Sequence, residues 1–286
     1  MTIPPPDGSR DRRIEDPTNL WIIHPAGRLL LPWAIARGIS ANFVSVIGLI
    51  LGALAAACYA NWSSWPFALL GLVFSVGWLI ADGLDGMIAR ATRTASALGR
   101  ALDGMCDHGV FALLYLVLAY SVGTLEGWIL ATAAGVTHAV QSNLYESERT
   151  RFHRRCKGET PVPPAPSRNP LVQLYDWVAG SIDRVAFRLD QAMSRAADPV
   201  AFGQAYAVRA LGPMRLMRLL TANARVFAIC LACLAADPRL FFWFEIVPLT
   251  ALLVIGLVWH RAVEIRFLRS AGVASQQPTN SPIQRT

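Results

Sequence analysis

The run Asp82-Gly83-Leu84-Asp85-Gly86-Met87-Ile88-Ala89-Arg90, continued by Gly99, Asp103 and Asp107, sets two pairs of carboxylates inside an otherwise apolar part of the chain. Asp82 and Asp85 are three residues apart and Asp103 and Asp107 four apart, so on helices each pair shares a face. One Asp facing lipid at mid-membrane costs about 2.5 to 3.5 kcal/mol, and four unpaired ones on the order of 10 kcal/mol. They must therefore line a polar cavity. A short turn at Arg93 to Ala97 between the two helices brings the pairs together. The four acids, with His108 beside them, form an all-oxygen donor set that suits hard cations such as Mg²⁺ or Mn²⁺.

Two divalent ions a few ångströms apart are a standard clamp for displacement at phosphorus, because they neutralise a diphosphate and stabilise the leaving oxygen. The other fixed residues fit that use. Gly86 and Gly99 remove side chains where a substrate approaches helix backbone, despite a helix cost near about 1 kcal/mol each, and Ala89 keeps the same face shallow. Arg90, one turn after Gly86, supplies a planar donor for phosphate oxygens. His108 is about 100° around the helix from Asp107, which favours a packing or supporting role over a catalytic one.

Outward from this run the chain reads as a membrane protein. Of 286 residues 54% are hydrophobic and only 16% charged, where a soluble domain carries roughly a quarter charged residues. Apolar stretches run from Phe43 to Ala60, Phe67 to Ala81, Ala112 to Val122, Trp128 to Val140, Leu219 to Ala236 (interrupted by Arg225) and Phe241 to Trp259. The fold expected is an all-α integral membrane protein with six transmembrane helices. Leu20 to Arg37, with Pro25 and Pro32, reads as an amphipathic helix lying on the membrane before the first span.

Arginines fall in the N-terminal arm, after the second span, in the segment after the fourth and in the tail, whereas the turns at Asn61 to Trp65 and Gly123 to Gly127 carry none. By the positive-inside rule both termini are cytoplasmic. The net charge of +7 is then a topological asymmetry strengthened by anionic lipid, and it does not call for a nucleic-acid partner. Lys157 is the only lysine among 26 basic residues, a bias that points to a GC-rich bacterial genome and so to an inner membrane.

Residues 1–18 and 271–286 are poor in apolar residues and read as disordered arms flanking a membrane domain over 19–270. No secretory signal is expected, since the first residues lack an apolar core. Within the domain, an insert over 150–216 opens with Arg151, Arg154, Arg155 and Lys157 and passes through a proline-rich run. It then carries Leu171, Leu174, Val178, Ile182, Val185, Leu189 and Met193 at three- and four-residue spacing, with Asp176, Asp183 and Asp190 between them. That stripe suits a membrane surface or a partner. The basic run has two readings, capture of a phosphorylated acceptor or plain positive-inside charge. His138, Gln141 and Tyr145 share a helix face and either meet an acceptor headgroup or pack. Cys230 and Cys233 form a C-x-x-C without a second pair and read as small packing residues.

The pattern from Asp82 to Asp107 resembles the signature of the CDP-alcohol phosphotransferase family at every fixed position, all four aspartates included. The resemblance implies that Asp82, Asp85 and Asp103 are metal ligands for two divalent cations, with Asp107 a ligand or the base that deprotonates the acceptor hydroxyl. Gly86, Ala89, Arg90 and Gly99 then surround the CDP moiety, and Asn42 looks like the family's asparagine near that site. The implied activity is transfer of a phosphoalcohol group from a CDP-linked lipid donor, CDP-diacylglycerol, to a small polar acceptor, with release of CMP at the cytoplasmic leaflet. The alternative is a CDP-choline or CDP-ethanolamine donor with a lipid alcohol acceptor. A homodimer is also implied, with Gly48-x-x-x-Gly52 as one close-packing face. A divalent-cation transporter would explain the carboxylates but not Gly86, Ala89, Arg90 and Gly99.

Overall fold

The computed structural model describes residues 11–159 and 187–274, and within them the side chains other than those of 97–103 and 273–274. The proline-rich run, Leu171 to Val185 of the amphipathic stripe, residues 1–10 and residues 275–286 lie outside that set. The described elements are all helical. A π-helical turn at Asn19–Ile23 leads into α1 (His24–Ala36), followed by α2 (Ala41–Tyr59), α3 (Trp65–Ala91), α4 (Ala97–Val122) and α5 (Leu125–Cys156). After a helical stretch at 187–194 come α6 (Pro199–Met217), α7 (Ala222–Leu234), the short α8 (Arg239–Phe244) and α9 (Thr250–Ala274).

The helix starts follow local chemistry. Ser40 is extended (φ −79°, ψ 153°) and its side chain accepts from Phe43 N at 3.2 Å, which caps α2. Pro66 in the first turn of α3 loses no hydrogen bond there, because the first helical N–H groups have no partner in any case.

Ala41–Tyr59, Trp65–Ala91, Gly104–Val122 and Arg239–Gly272 are long and apolar enough to cross a membrane, and the pair Pro199–Leu220 and Ala222–Leu234, bent by 45°, makes a fifth if it is one span. The expected six exceeds this. The difference lies at Trp128 to Val140, which sits inside α5, where Glu126 and Gln141 bound the apolar run and His138 interrupts it. Near the N-terminus, Trp21, Ile22, Leu29, Leu30, Trp33 and Ile35 are exposed, and Ile23, Gly27 and Ala34 are buried.

The chain divides into two compact units. The first, residues 1–145 and 217–253, has a core that includes Tyr59, Trp78, Val110, Phe111, Leu114, Tyr115, Phe241 and Phe242. Here α2 meets its neighbours through glycine. A Cβ at position 52 would lie 2.3 Å from Val110 Cγ2 on α4, and one at position 48 would lie 3.4 Å from Trp78 Cδ1 on α3. The Gly48-x-x-x-Gly52 pattern, expected as a face between subunits, thus serves packing within the chain.

One buried arginine of this unit is closely paired. Arg225 Nε donates to Glu245 Oε1 and Oε2 at 3.0 and 3.1 Å, and its Nη2 donates to Gln141 Oε1 at 2.8 Å. Gln141 Nε2 donates in turn to Glu245 O and Thr250 Oγ1. Removing one member of such a set would leave an uncompensated buried charge. Residues 11–18, expected as part of an N-terminal arm without structure, carry a buried Ile14, and Asn223 Nδ2 donates to Asp16, Thr18 and Asn19.

The second unit comprises residues 146–216 and 254–286. It is organised by buried ions: Arg155 donates to Asp190 Oδ1 at 2.7 Å, Glu264 Oε1 at 2.5 Å and Tyr206 OH at 3.1 Å. Arg154 reaches Asp190 at 2.7 Å, Arg151 reaches Glu148 at 2.8 Å, and Arg149 reaches Glu146 at 2.9 Å. The arginines of the basic run are therefore committed to intramolecular pairs, which removes the observation that suggested capture of a phosphorylated acceptor there. Leu189 and Met193, the described end of the amphipathic stripe, are buried, and so is Asp190.

Glu148 accepts from His260 Nδ1 at 2.6 Å and also pairs with Arg261. Burial alone would raise its pKa, but the His260 hydrogen bond and the charges of Arg261, His260 and Arg151 more than offset it and hold the group down to about 2. A carboxylate depressed in the folded state contributes stability above its unfolded pKa, and that contribution is lost as pH falls through the folded one. We expect the thermal midpoint in detergent to fall between pH 4.5 and 2, and a Glu148→Gln variant to show a lower midpoint at neutral pH with a shallower acid dependence.

Candidate active site

In the first unit a cleft of about 370 Å³ is walled by Gly38 to Asn42 and Ser45 on one side of the chain and by Asp85, Gly86, Ile88, Ala89 and Thr92 on α3, with Thr94, Ala95 and Ser96 from the following turn. Four sequence-predicted residues, Asn42, Asp85, Gly86 and Ala89, meet here. Asp85 is 4% exposed. Ser45 Oγ donates to its Oδ2 at 2.5 Å, with Ala41 O 3.2 Å from the same hydroxyl.

Arg90 folds back along α3. A Cβ added at Gly86 would come within 3.1 Å of Arg90 Nη1, so glycine at 86 leaves the guanidinium room to lie against the helix beside the cleft. Asp82 and Asp107 are half-buried and are not among the residues that line the cleft. Trp78 Nε1 donates to Asp107 Oδ1 at 3.2 Å, across from α3 to α4. Gly99 and Asp103 lie on α4 among the residues whose side chains are not described. Among the described residues no three Asp, Glu, His or Cys side chains assemble as a metal-holding group. The described acids of the run offer oxygen donors only, with neither thiolate nor imidazole among them. That chemistry fits a hard divalent cation.

Other predicted residues resolve as packing. His138 Nδ1 is bonded to Tyr115 OH at 3.1 Å, and Gln141 is held by Glu245, Thr250 and Arg225. His108 Nδ1 is 2.6 Å from Gly104 O in its own helix. Sequence reasoning missed Ser45 and the hydroxyls of Thr92 and Thr94, which are 2.8 Å apart. The signal for Ser45 was available: it follows Asn42 by three residues, on the same helix face.

With this geometry in place, the comparison with known families is direct. Residues 38–155 match the model of CDP-alcohol phosphatidyltransferases. This stretch is a CDP-alcohol phosphatidyltransferase domain. The CDP-alcohol phosphatidyltransferase domain starts at Gly38, the first residue of the cleft's loop wall, and takes in α2 to α5 with every candidate site residue. Cholinephosphotransferase 1 of Xenopus laevis is 27% identical over 121 residues, which cover 38% of this chain. The aligned part spans 30% of that relative's length.

Ser45→Ala would strip a donor from the buried Asp85 carboxylate, a loss worth about 1 to 3 kcal/mol. A lower thermal midpoint in detergent is expected for Ser45→Ala, and near-wild-type behaviour for Ser45→Thr. Equal midpoints for all three proteins would contradict this assignment.

Proposed function

We propose that the chain transfers a phosphoalcohol group from a CDP-linked donor to an acceptor hydroxyl, with release of CMP, in phospholipid biosynthesis. The observation that carries the reading is a buried aspartate, Asp85, beside Gly86 and Ala89 on the wall of a cleft inside the CDP-alcohol phosphatidyltransferase domain. In the reaction the acceptor oxygen forms a bond to the phosphorus that bears the donor's alcohol. The bond from that phosphorus to the CMP oxygen breaks, and the acceptor's proton passes to a base.

Each residue has a role in this reading. Asp82, Asp85, Asp103 and Asp107 hold two divalent cations, Mg²⁺ or Mn²⁺, which when bound neutralise the diphosphate and the departing CMP oxygen. Asp107 takes the acceptor proton if it is not itself a ligand. Arg90 binds phosphate oxygens with its planar donors, Gly86, Ala89 and Gly99 leave room for the CDP moiety, and Asn42 hydrogen-bonds it from the opposite wall. The arginine distribution supports a cytoplasmic site in a multi-pass inner-membrane protein. A homodimer belongs to this reading as well, through a surface other than Gly48 and Gly52.

CDP-diacylglycerol with a small polar acceptor suits the compact chain. The cholinephosphotransferase relative favours a second reading, a CDP-aminoalcohol donor with a lipid acceptor. CMP release by purified protein in detergent, with each donor offered against a panel of acceptors, separates them. Release is expected to require Mg²⁺ or Mn²⁺ and to fall to background in Asp85→Asn. Release that survives chelation or the Asp85→Asn change would sink the proposal.

A further inference from the structure

Trp78 lies one helical turn before Asp82 on α3, so its side chain shares a face with the first carboxylate pair. It is 2% exposed. A buried indole N–H needs an acceptor, and this one is a carboxylate of the motif on the next helix: Trp78 Nε1 to Asp107 Oδ1, 3.2 Å. The ring has little freedom to leave. Phe111, one turn after Asp107, packs edge-on against it with centroids 5.3 Å apart at 79°. On α2, Gly48 approaches so closely that a Cβ there would lie 3.4 Å from Trp78 Cδ1.

The choice of donor matters. An arginine or lysine at this place would pair with the carboxylate and cancel the charge that attracts a cation. An indole N–H is neutral, so it restrains the carboxylate and leaves its charge in place. Groups that orient ligands in this way are worth about 10- to 100-fold in metal affinity or activity.

We propose that Trp78 is a positioning residue for the transfer reaction: its indole N–H fixes the Asp107 carboxylate in the orientation that the site uses. This inference rests on the reading of Asp107 as ligand or base given above.

The test compares wild type with Trp78→Phe and with a protein carrying benzothienylalanine at position 78, which keeps the bicyclic shape and replaces N–H by sulfur. Four quantities are read in detergent: kcat and donor KM for CMP release, Mn²⁺ affinity without substrate from the free-ion paramagnetic resonance signal, and the thermal midpoint. In both variants kcat is expected to fall about tenfold or more and Mn²⁺ affinity to weaken about tenfold, with donor KM within twofold. The sulfur variant should keep its thermal midpoint. Wild-type kcat and Mn²⁺ affinity in the folded sulfur variant overturn the proposal, as does an effect confined to thermal stability. A wild type that binds Mn²⁺ but releases no CMP from any donor overturns the functional reading instead, and the Mn²⁺ comparison then decides the role of Trp78. A wild type that neither binds Mn²⁺ nor releases CMP overturns both.

Discussion

A carboxylate withdrawn from water among apolar helices has to be held by donors or cations, because its desolvation is otherwise unsupported by the fold. That constraint shapes the first unit from its centre outward. The α3 helix begins as an apolar segment packed through Trp78 and ends as a carrier of carboxylates. Carboxylates here find donors on a neighbouring helix: Ser45 of α2 for Asp85, and Trp78 of α3 for Asp107 on α4. Close approach of α2 is part of the same solution, since Gly48 and Gly52 let it settle against Trp78 and Val110.

The second unit meets the same requirement with internal counter-ions. Arg155 is 1% exposed and Glu264 fully buried, and they are joined to Asp190, Tyr206, His260, Glu148 and Arg261 by a continuous set of hydrogen bonds. A network in which the buried ions have partners specifies one arrangement of its helices, because any shift strands a charge. In the second unit arginines donate to buried acids, and in the cleft a serine hydroxyl donates to Asp85 beside backbone left bare by Gly86.

Much of this was legible in the sequence, for physical reasons that can be traced. Hydropathy located α2 to within two residues, because a span buries or exposes apolar groups all along its length. The apolar run of α3 stops at Ala81, but a carboxylate interrupts an apolar run without interrupting a helix, and α3 continues to Ala91, just short of the turn expected at Arg93 to Ala97. That Asp85 and Ala89 come to one wall was legible in their spacing, as helical geometry puts i and i+4 on one face. Trp78 was not legible: within an apolar stretch an indole reads as core, and its partner lies 29 residues away on another helix. Gly48 and Gly52 were placed on the wrong surface because the pattern states that a helix approaches closely but not which one. For the same reason the basic run around Arg155 looked like an anion site until its acids, at 148, 190 and 264, were seen beside it.

The α3 and α4 carboxylates are the centre of the first unit's candidate site, and the central claim is that they hold divalent cations beside the cleft. Anomalous scattering from crystals of the full chain grown with Mn²⁺ tests this most directly. The account predicts two manganese peaks on Asp82, Asp85, Asp103 and Asp107 that vanish in Asp85→Asn. Wild-type crystals with no peak at these residues, or with peaks only at other acids, would contradict it.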